Sequence, residues 1–202
     1  FGRGGNVSTI SRAVTLIGLN GIRNLALSLV LLDHMHDKGH AAHLKEEFLR
    51  SLMAGSIGGE LCPVQKESEE AFIGSMFQDL GRLLVQFYFP EEARQIRKLM
   101  HSASEPLPEA AAAVNVLGLN FEELGLGVAK AWGLPQAIQR CMRKPKSTPP
   151  NKVPDDAGER IGWIALASNE IADTLLHADP KDLDIRLSLV AKKYSAAMGV
   201  SA

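Results

Sequence analysis

Cysteine is scarce in this sequence, which has only two in 202 residues, Cys62 and Cys141. They lie far apart and form no CxxC pair, which argues against a disulfide framework. So few cysteines are typical of proteins in a reducing compartment, and we therefore predict a cytoplasmic location.

Long apolar runs, a signal peptide and an excess of charge of one sign are also missing. The best apolar run, LALSLVLL at 25–32, is less than half of the ~18 residues that a membrane span needs, so we expect no membrane partner. A formal net charge of -1 argues against a protein that mainly coats nucleic acid or an anionic surface. Because the chain starts at Phe1 rather than Met and shows no signal-peptide pattern, we expect it to be a piece of a longer protein.

Strand patterns are nearly absent, since aromatic residues make up 5% of the chain and β-branched residues rarely alternate with polar ones. Helical periodicity covers most of the sequence instead. We predict an all-α fold, a compact multi-helix bundle of about eight to ten helices. The expected helices before the proline-rich segment span 8–18, 21–36, 42–61, 68–89, 91–103, 107–117, 121–132 and 135–143.

Several residues are expected to define helix ends. Ser68 is a good N-cap for a helix that continues unbroken to residue 89. Asn120 with Glu123 has the spacing of a capping box. Asp179 and Pro180 are expected at the N-cap and the first helical position of the last helix.

The composition changes at RKPKSTPPNKVPDDAGE (143–159), which contains four prolines and no apolar periodicity. Such a segment is typical of a linker or a long surface loop. We therefore divide the chain into a helical core at 1–145, a loop or linker at 146–158, and a C-terminal helical pair at 159–202 that packs on the core.

Small residues recur at helical spacing in two predicted helices. Ser51, Gly55 and Gly59 lie four residues apart, and Gly74 and Gly81 lie seven apart. Because glycine inside a helix costs about 1 kcal/mol relative to alanine, these rows indicate that another helix backbone lies close against each of them.

The segment GSMFQDLG (74–81) places Gln78 and Asp79 within an apolar stripe. On a helical wheel Asp79 falls at the edge of that stripe, so we expect it to be half-buried. A carboxylate in this position needs a metal, a cation or a hydrogen-bond donor.

Four of the six histidines lie in HMHDKGHAAH (34–43), at positions 34, 36, 40 and 43. The spacing of His36, His40 and His43 can place two ligands on one helix face. However, Gly39 interrupts the segment and no cysteine or carboxylate pair completes a ligand set. We interpret the cluster as a solvated connection between helices rather than a metal site.

A series of segments follows one another in a characteristic order: FG at the start, ISRAVTLIGLNGIRNLALS (10–28), FLRSLMAGSIGGEL (48–61), EEAFIGSMFQDLGRLLV (69–85), YFPEEA (88–93) and LGLNFEELGLGVAKAWGLPQAI (117–138). This series resembles the HDOD domain, a bacterial signalling-output module related in fold to the HD-type metal-dependent phosphohydrolases. The order and spacing of the segments agree with that family, and the match ends in AWGLP. The resemblance implies an HD/HDOD-like helical bundle that is truncated at its N-terminus and serves in signalling.

The resemblance also implies where metal ligands would lie. HD phosphohydrolases hold divalent metal through histidines and an aspartate, including an adjacent His-Asp pair. In this sequence the histidine of that pair falls at Gln78, and the aspartate at Asp79. Two further histidine positions fall at Arg50 and Phe121, and a His-His pair falls near residues 145 and 146. These replacements remove the Lewis acid itself, so we predict vestigial site positions with no catalytic residue, no metal and no cofactor.

Two partners for Asp79 remain open. Arg50 could replace the metal with its guanidinium from the neighbouring helix. Alternatively, Asp79 could pair with Arg82 on its own helix, or reach solvent.

The leading functional hypothesis is a non-catalytic output or adaptor domain that acts through protein–protein interaction. Its partners would be other signalling proteins or attached regulatory domains, and a homo-oligomer is possible. The alternatives are an HD-type phosphohydrolase, or a nucleotide-binding remnant pocket in which Arg50 or Arg82 meets phosphate and Phe121 stacks on a base.

Nucleic-acid binding through RCMRKPKS (140–147) is not favoured, because no aromatic platform accompanies its cations. We interpret this segment as a solvated loop. The two tryptophans, Trp132 and Trp163, are both expected to be core anchors near helix ends.

Overall fold

A computed structural model describes residues 38–200 of the chain, and this part contains nine α-helices and no strand. The all-α prediction is therefore confirmed. The predicted helices at 8–18 and 21–36 and the apolar run at 25–32 lie outside the described residues. The helices are α1 (Lys38–Leu61), α2 (Ser68–Phe77), α3 (Leu80–Tyr88), α4 (Pro90–Met100), α5 (Glu109–Leu117), α6 (Phe121–Ala131), α7 (Gln136–Cys141), α8 (Ala157–His177) and α9 (Leu183–Met198).

The long helices α1 and α8 form the centre of the bundle, with α2 packed against both of them. On the outer side α9 covers α8, while α3 packs on α6 and α4 on α5. Burial of apolar side chains between these pairs supplies the main stabilisation of the fold. The largest buried cluster joins Ala71 of α2 and Cys141 of α7 to Trp163 of α8 and Tyr194 of α9.

The C-terminal helices share this buried cluster with the helices that precede the proline-rich segment. Residues 143–156 form the connection into α8 and contain no helix. Arg160 fixes its end, since its Nη1 donates to the Pro154 carbonyl oxygen at 2.8 Å and its Nη2 donates to Glu67 Oε1 at 2.6 Å. The burial of Trp163 as a core anchor is confirmed, with 1% of its surface exposed.

The prediction of a single helix from 68 to 89 is wrong, because the chain breaks between α2 and α3 at Gln78 and Asp79. Asp79 leaves the helical conformation at φ -106° and ψ 26°, and its carbonyl oxygen accepts the Leu83 amide at 3.2 Å. The apolar stripe continues across the break on both sides, so periodicity does not reveal it.

The close approaches expected from small residues are confirmed. A methyl group at Gly55 would lie 3.1 Å from Met76 Cβ, which places α1 directly against α2. A methyl group at Gly81 would overlap the carbonyl oxygen of Phe121, and one at Gly125 would lie 2.9 Å from the Gly81 amide nitrogen. The helices α3 and α6 therefore meet backbone to backbone at this point.

The capping box of Asn120 and Glu123 is confirmed, since each side chain accepts the other residue's amide at 2.9 Å. Ser68 is not an N-cap: it is the first helical residue, and its hydroxyl bonds back to the Gln65 carbonyl oxygen.

The last helix also begins later than expected, at Leu183 with Asp182 as its N-cap. Asp179 and Pro180 precede it in a turn in which Asp179 Oδ1 accepts the Lys181 amide. The side chain of Asp179 thus caps a turn rather than the helix.

No helix within residues 38–200 combines the length and apolar character that crossing a membrane requires.

Candidate functional site

Asp79 lies at the junction of α2 and α3, where the break in the helix directs its carboxylate into the bundle. Only 5% of its surface is exposed, so the expectation of a half-buried residue is wrong. The wheel assumed one continuous helix, whereas the turn at Gln78 and Asp79 rotates the side chain inward. A carboxylate buried this deeply has to be paired.

Both oxygens of this carboxylate are held by cations. Arg50 Nη1 of α1 donates to Asp79 Oδ2 at 2.9 Å, and Lys144 Nζ of the proline-rich connection donates to Oδ1 at 2.6 Å. Of the alternatives left open by the sequence, the pair between Arg50 and Asp79 is the one present in the structure. The Lys144 contact was not predicted.

Arg50 is itself buried and joins three helices. The same Nη1 that holds Asp79 also donates to Asn169 Oδ1 of α8 at 3.0 Å. Its Nε and Nη2 donate to Glu47 Oε2 at 3.3 and 3.1 Å, one turn earlier on α1. A planar guanidinium with five donors suits this arrangement, which a lysine could not reproduce.

Asn169 completes the polar layer from α8. Its Nδ2 donates to the Ser75 carbonyl oxygen of α2 at 2.9 Å and to the Ala165 carbonyl oxygen of its own helix at 2.9 Å. The same nitrogen lies 3.5 Å from Gln78 Oε1. The Asn169 side chain thus orients Arg50 and also donates a hydrogen bond to a backbone carbonyl group next to the α2–α3 break.

Arg82 takes a neighbouring position on α3 and pairs with other carboxylates. Its Nη2 donates to Glu109 Oε2 at 2.9 Å, and its Nη1 lies 3.6 Å from Glu47 Oε1. The alternative in which Arg82 is the hydrogen-bonded partner of Asp79 is therefore not what the structure shows. We call the whole group the Asp79 cluster, and it consists of Glu47, Arg50, Asp79, Arg82, Lys144 and Asn169.

The charges of the cluster determine the ionisation of Asp79. Burial by itself raises the pKa of this carboxyl, but the positive charges of Arg82, Lys144 and Arg50 outweigh it and hold the pKa well below its usual range. Asp79 is therefore fully ionised near neutral pH.

The remaining predicted positions hold no ligand for a metal. Gln78 is buried, and its Nε2 has no hydrogen-bond partner within the described chain. Phe121 is half-buried, and it packs against the apolar cluster between α3, α4 and α5. Pro145 packs near Gly162 of α8, and Lys146 is exposed.

This set of side chains does not fit the divalent metal of HD phosphohydrolases. Imidazole and carboxylate ligands are what such an ion requires, whereas the side chains around Asp79 are two guanidinium groups, an ammonium group, two carboxamides and one further carboxylate. That carboxylate belongs to Glu47 and is paired with Arg50 and Arg82. Across residues 38–200, no three His, Cys, Asp or Glu side chains converge in a way that could hold a metal ion.

The histidine segment at 34–43 lies partly outside the described residues, which begin after His34 and His36. For the described part, the interpretation as a solvated connection between helices is wrong. Gly39, His40 and His43 all belong to α1, and His40 is buried. His43 Nδ1 lies 4.0 Å from Glu46 Oε2 on the exposed side of the helix.

Sequence reasoning missed three members of the cluster. Lys144 was assigned to a solvated loop, yet its backbone amide is also fixed, donating to Glu122 Oε1 of α6 at 3.1 Å. Glu47 lies three residues before Arg50, a spacing that suits a helical ion pair and could have indicated it. Asn169 interrupts the apolar face of α8, and a polar residue at a core position is a signal for a buried network.

A second feature is an apolar groove between α3 and α6, the two helices that meet at Gly81 and Gly125. It has a volume of about 260 Å³. Trp132 is 45% exposed beside it, so the expectation of a core anchor is wrong for this residue. We call it the α3–α6 groove, and it is lined by Leu84, Tyr88, Phe89, Leu124, Val128 and Trp132.

Comparison with known families matches a sequence model of the HDOD domain to residues 1–147. The chain belongs to the HDOD domain family. Five members of the Asp79 cluster of this HDOD domain lie within the matched residues: Glu47, Arg50, Asp79, Arg82 and Lys144. Comparison with curated proteins gave no match.

Solved structures with a similar fold include two of low sequence identity. The MmoQ response regulator from Methylococcus capsulatus str. Bath is 20% identical, with a TM-score of 0.55, and the alignment covers 96% of this chain and 72% of MmoQ. A protein named "Putative phosphohydrolase" from Shewanella amazonensis SB2B is 19% identical, with a TM-score of 0.55 and coverage of 96% and 70%. These similarities support the HD/HDOD-like fold of the described HDOD chain.

Proposed function

We propose that this HDOD domain is a non-catalytic output or adaptor module of a bacterial signalling protein, which acts through protein–protein interaction. The observation that carries the proposal is the double pairing of Asp79, whose two oxygens accept hydrogen bonds from Arg50 and Lys144. The family resemblance aligns this carboxylate with a metal ligand of the HD phosphohydrolases, and two fixed positive charges hold it in this chain.

Replacing a metal ion by the two cations Arg50 and Lys144 has two chemical consequences. First, the cations satisfy the buried carboxylate, so the fold needs no metal to compensate its charge. Second, neither cation can activate water as a Lewis acid, which is the role of the metal in phosphoester hydrolysis. A divalent ion would also have to displace Arg50, which is held by Glu47 and Asn169 as well.

A phosphate-binding remnant pocket is less well supported. Arg50 and Arg82 were its predicted phosphate contacts, but both guanidinium groups already pair with carboxylates. Phe121, the predicted base-stacking residue, packs in an apolar cluster instead.

The α3–α6 groove supports recognition of another protein. Partly exposed aromatic side chains are enriched where proteins bind one another, and Tyr88, Phe89 and Trp132 are all exposed along this groove. An apolar segment of a partner protein is the occupant whose chemistry fits it.

Metal analysis and turnover test the proposal against the enzyme alternative. Protein prepared without chelator should contain no stoichiometric divalent metal, and it should not hydrolyse phosphoesters when Mn²⁺ or Mg²⁺ is added. Asp79→Asn provides the matched control, since it should behave identically in both assays. Stoichiometric metal together with turnover, both lost in Asp79→Asn, would overturn the proposal.

A further inference from the structure

The helix α9 carries two separate apolar faces, of which the bundle uses one. Val190, Tyr194 and Met198 are buried against the preceding helices. On the outer side Ile185 is 63% exposed and Leu189 is 61% exposed. Single exposed apolar residues are common, but two large ones in adjacent turns of one helix form a continuous stripe.

Charges flank this outer stripe in a self-complementary order. Asp182 lies three residues before Ile185, and Lys192 lies three residues after Leu189, so all four residues share one face of the helix. Asp182 and Lys192 are both exposed. Their neighbour Lys193 is engaged within the chain, because its Nζ donates to Glu170 Oε2 at 2.9 Å.

We infer that this outer face of α9 is a homodimer surface, on which α9 pairs antiparallel with α9 of a second copy of this chain. Antiparallel pairing that places Ile185 opposite Leu189 of the partner copy also places Asp182 opposite Lys192, because each charge lies three residues outside the apolar pair. By two-fold symmetry the contact occurs twice. Parallel pairing would instead bring like charges together, which costs free energy.

The occupant follows from this charge order rather than from apolarity alone. A second copy supplies an apolar pair of matching length and opposite charge at both ends, whereas an unrelated helix would need the same pattern by coincidence. The face is small, so the dimer belongs among weak interfaces, which bury less than about 1,200 Å². This inference is independent of the proposed signalling function and of the Asp79 cluster.

Sedimentation velocity of the full 202-residue chain over a concentration series tests the contribution of the apolar stripe to dimerisation. We expect a concentration-dependent dimer, which Leu189→Lys should weaken at least about tenfold. Val114→Lys is the matched control, since Val114 is also an exposed apolar residue but lies on α5. A monomer at every concentration overturns the inference, as does a dimer that Leu189→Lys leaves unchanged.

Charge reversal tests the antiparallel register. Asp182→Lys and Lys192→Asp should each weaken the dimer, because each puts like charges opposite one another in both halves of the contact. An equimolar mixture of the two variants should associate more tightly than either alone, since both ion pairs are then restored in the mixed dimer.

Asp184→Lys is the control for Asp182→Lys. It makes the same change of charge on α9, but outside the face that carries Asp182, Ile185, Leu189 and Lys192. Thermal unfolding of each variant verifies that the fold is kept. A mixture that associates no more tightly than the single variants overturns the proposed pairing, even if a dimer of another kind is present.

Discussion

The Asp79 cluster and the α3–α6 groove break the usual division of a protein into apolar interior and polar surface in opposite ways. The cluster buries charges and pairs each oxygen of Asp79 with a cation. The groove leaves aromatic side chains in contact with solvent. The polar site is thus closed by internal contacts, while the apolar one is open to solvent. Charges are accommodated in the interior where each has a partner, and large apolar side chains remain at the surface where two helices leave a groove between them.

Loss of Arg50 from the Asp79 cluster should have the largest effect on the stability of the fold. Arg50→Met leaves the buried Asp79 and the partly buried Glu47 without their shared cation, so we expect the free energy of unfolding to fall by about 3–5 kcal/mol. This change in the free energy of unfolding is measured by urea titration, with circular dichroism as the signal.

A double-mutant cycle with Asp79→Leu shows whether the loss comes from the pair. The double variant should be more stable than the sum of the two single effects predicts, because it no longer buries a carboxylate that has lost one of its two cations. Additive effects would mean that Arg50 acts through packing alone.

Acidification should remove the next largest contribution to stability, that of the ionised Asp79 carboxylate. The pKa of Asp79 lies below its ordinary value of 3.8, so the unfolded state binds the proton more readily than the folded state does. The stabilisation is present above the unfolded-state pKa and is lost as the pH falls through the folded-state pKa.

Unfolding measured from pH about 6 down to about 2 should therefore show a stability difference between the wild type and Asp79→Asn that shrinks in acid. Asp155→Asn, on the exposed connection, controls for the removal of one carboxylate. A difference that stays constant with pH would contradict the assignment.

The Lys144 contact should contribute less than Arg50, because the lysine side chain is 34% exposed and solvent screens its charge. We expect Lys144→Met to lower the free energy of unfolding by about 1 kcal/mol. Lys146→Met, two residues further along, should change nothing. Equal losses in both variants would show that general charge, rather than the contact with Asp79, is responsible.

The smallest effect on stability is expected in the groove. Trp132→Ser should change the free energy of unfolding by less than about 1 kcal/mol, because the side chain is nearly half exposed. The matched comparison is Trp163→Ser, which removes a buried tryptophan and should cost several times more. A large loss for Trp132→Ser would mean that the groove is a structural element rather than an open surface.

Much of the fold followed from periodicity, whereas most of the site did not. Local signals were sufficient for the capping box at Asn120 and for the α1–α2 approach at Gly55, because both depend on spacing within one helix. The break at Asp79 was hidden because the apolar stripe continues through it. Lys144 and Asn169 lie 65 and 90 residues beyond Asp79 in the sequence, and no spacing rule connects residues that distant.

The Arg50–Asp79 pair was reached from the family resemblance, which aligned both residues with ligand positions of one metal centre. Composition alone could not have related them. Trp132 was misjudged because tryptophan at a helix end is compatible both with a core anchor and with an exposed side chain, and only its 45% exposure in the structure separates the two.

The helix α6 also has a mechanical consequence. It lines the groove through Leu124, Val128 and Trp132, while Glu122 at its other end holds the Lys144 backbone amide. At Gly81 and Gly125 no side chain separates the two backbones, so α6 cannot move closer to α3. Trp132 lies about 10 Å along the helix from Gly125, so one rigid element connects the open groove with the residue that positions the lysine paired with Asp79.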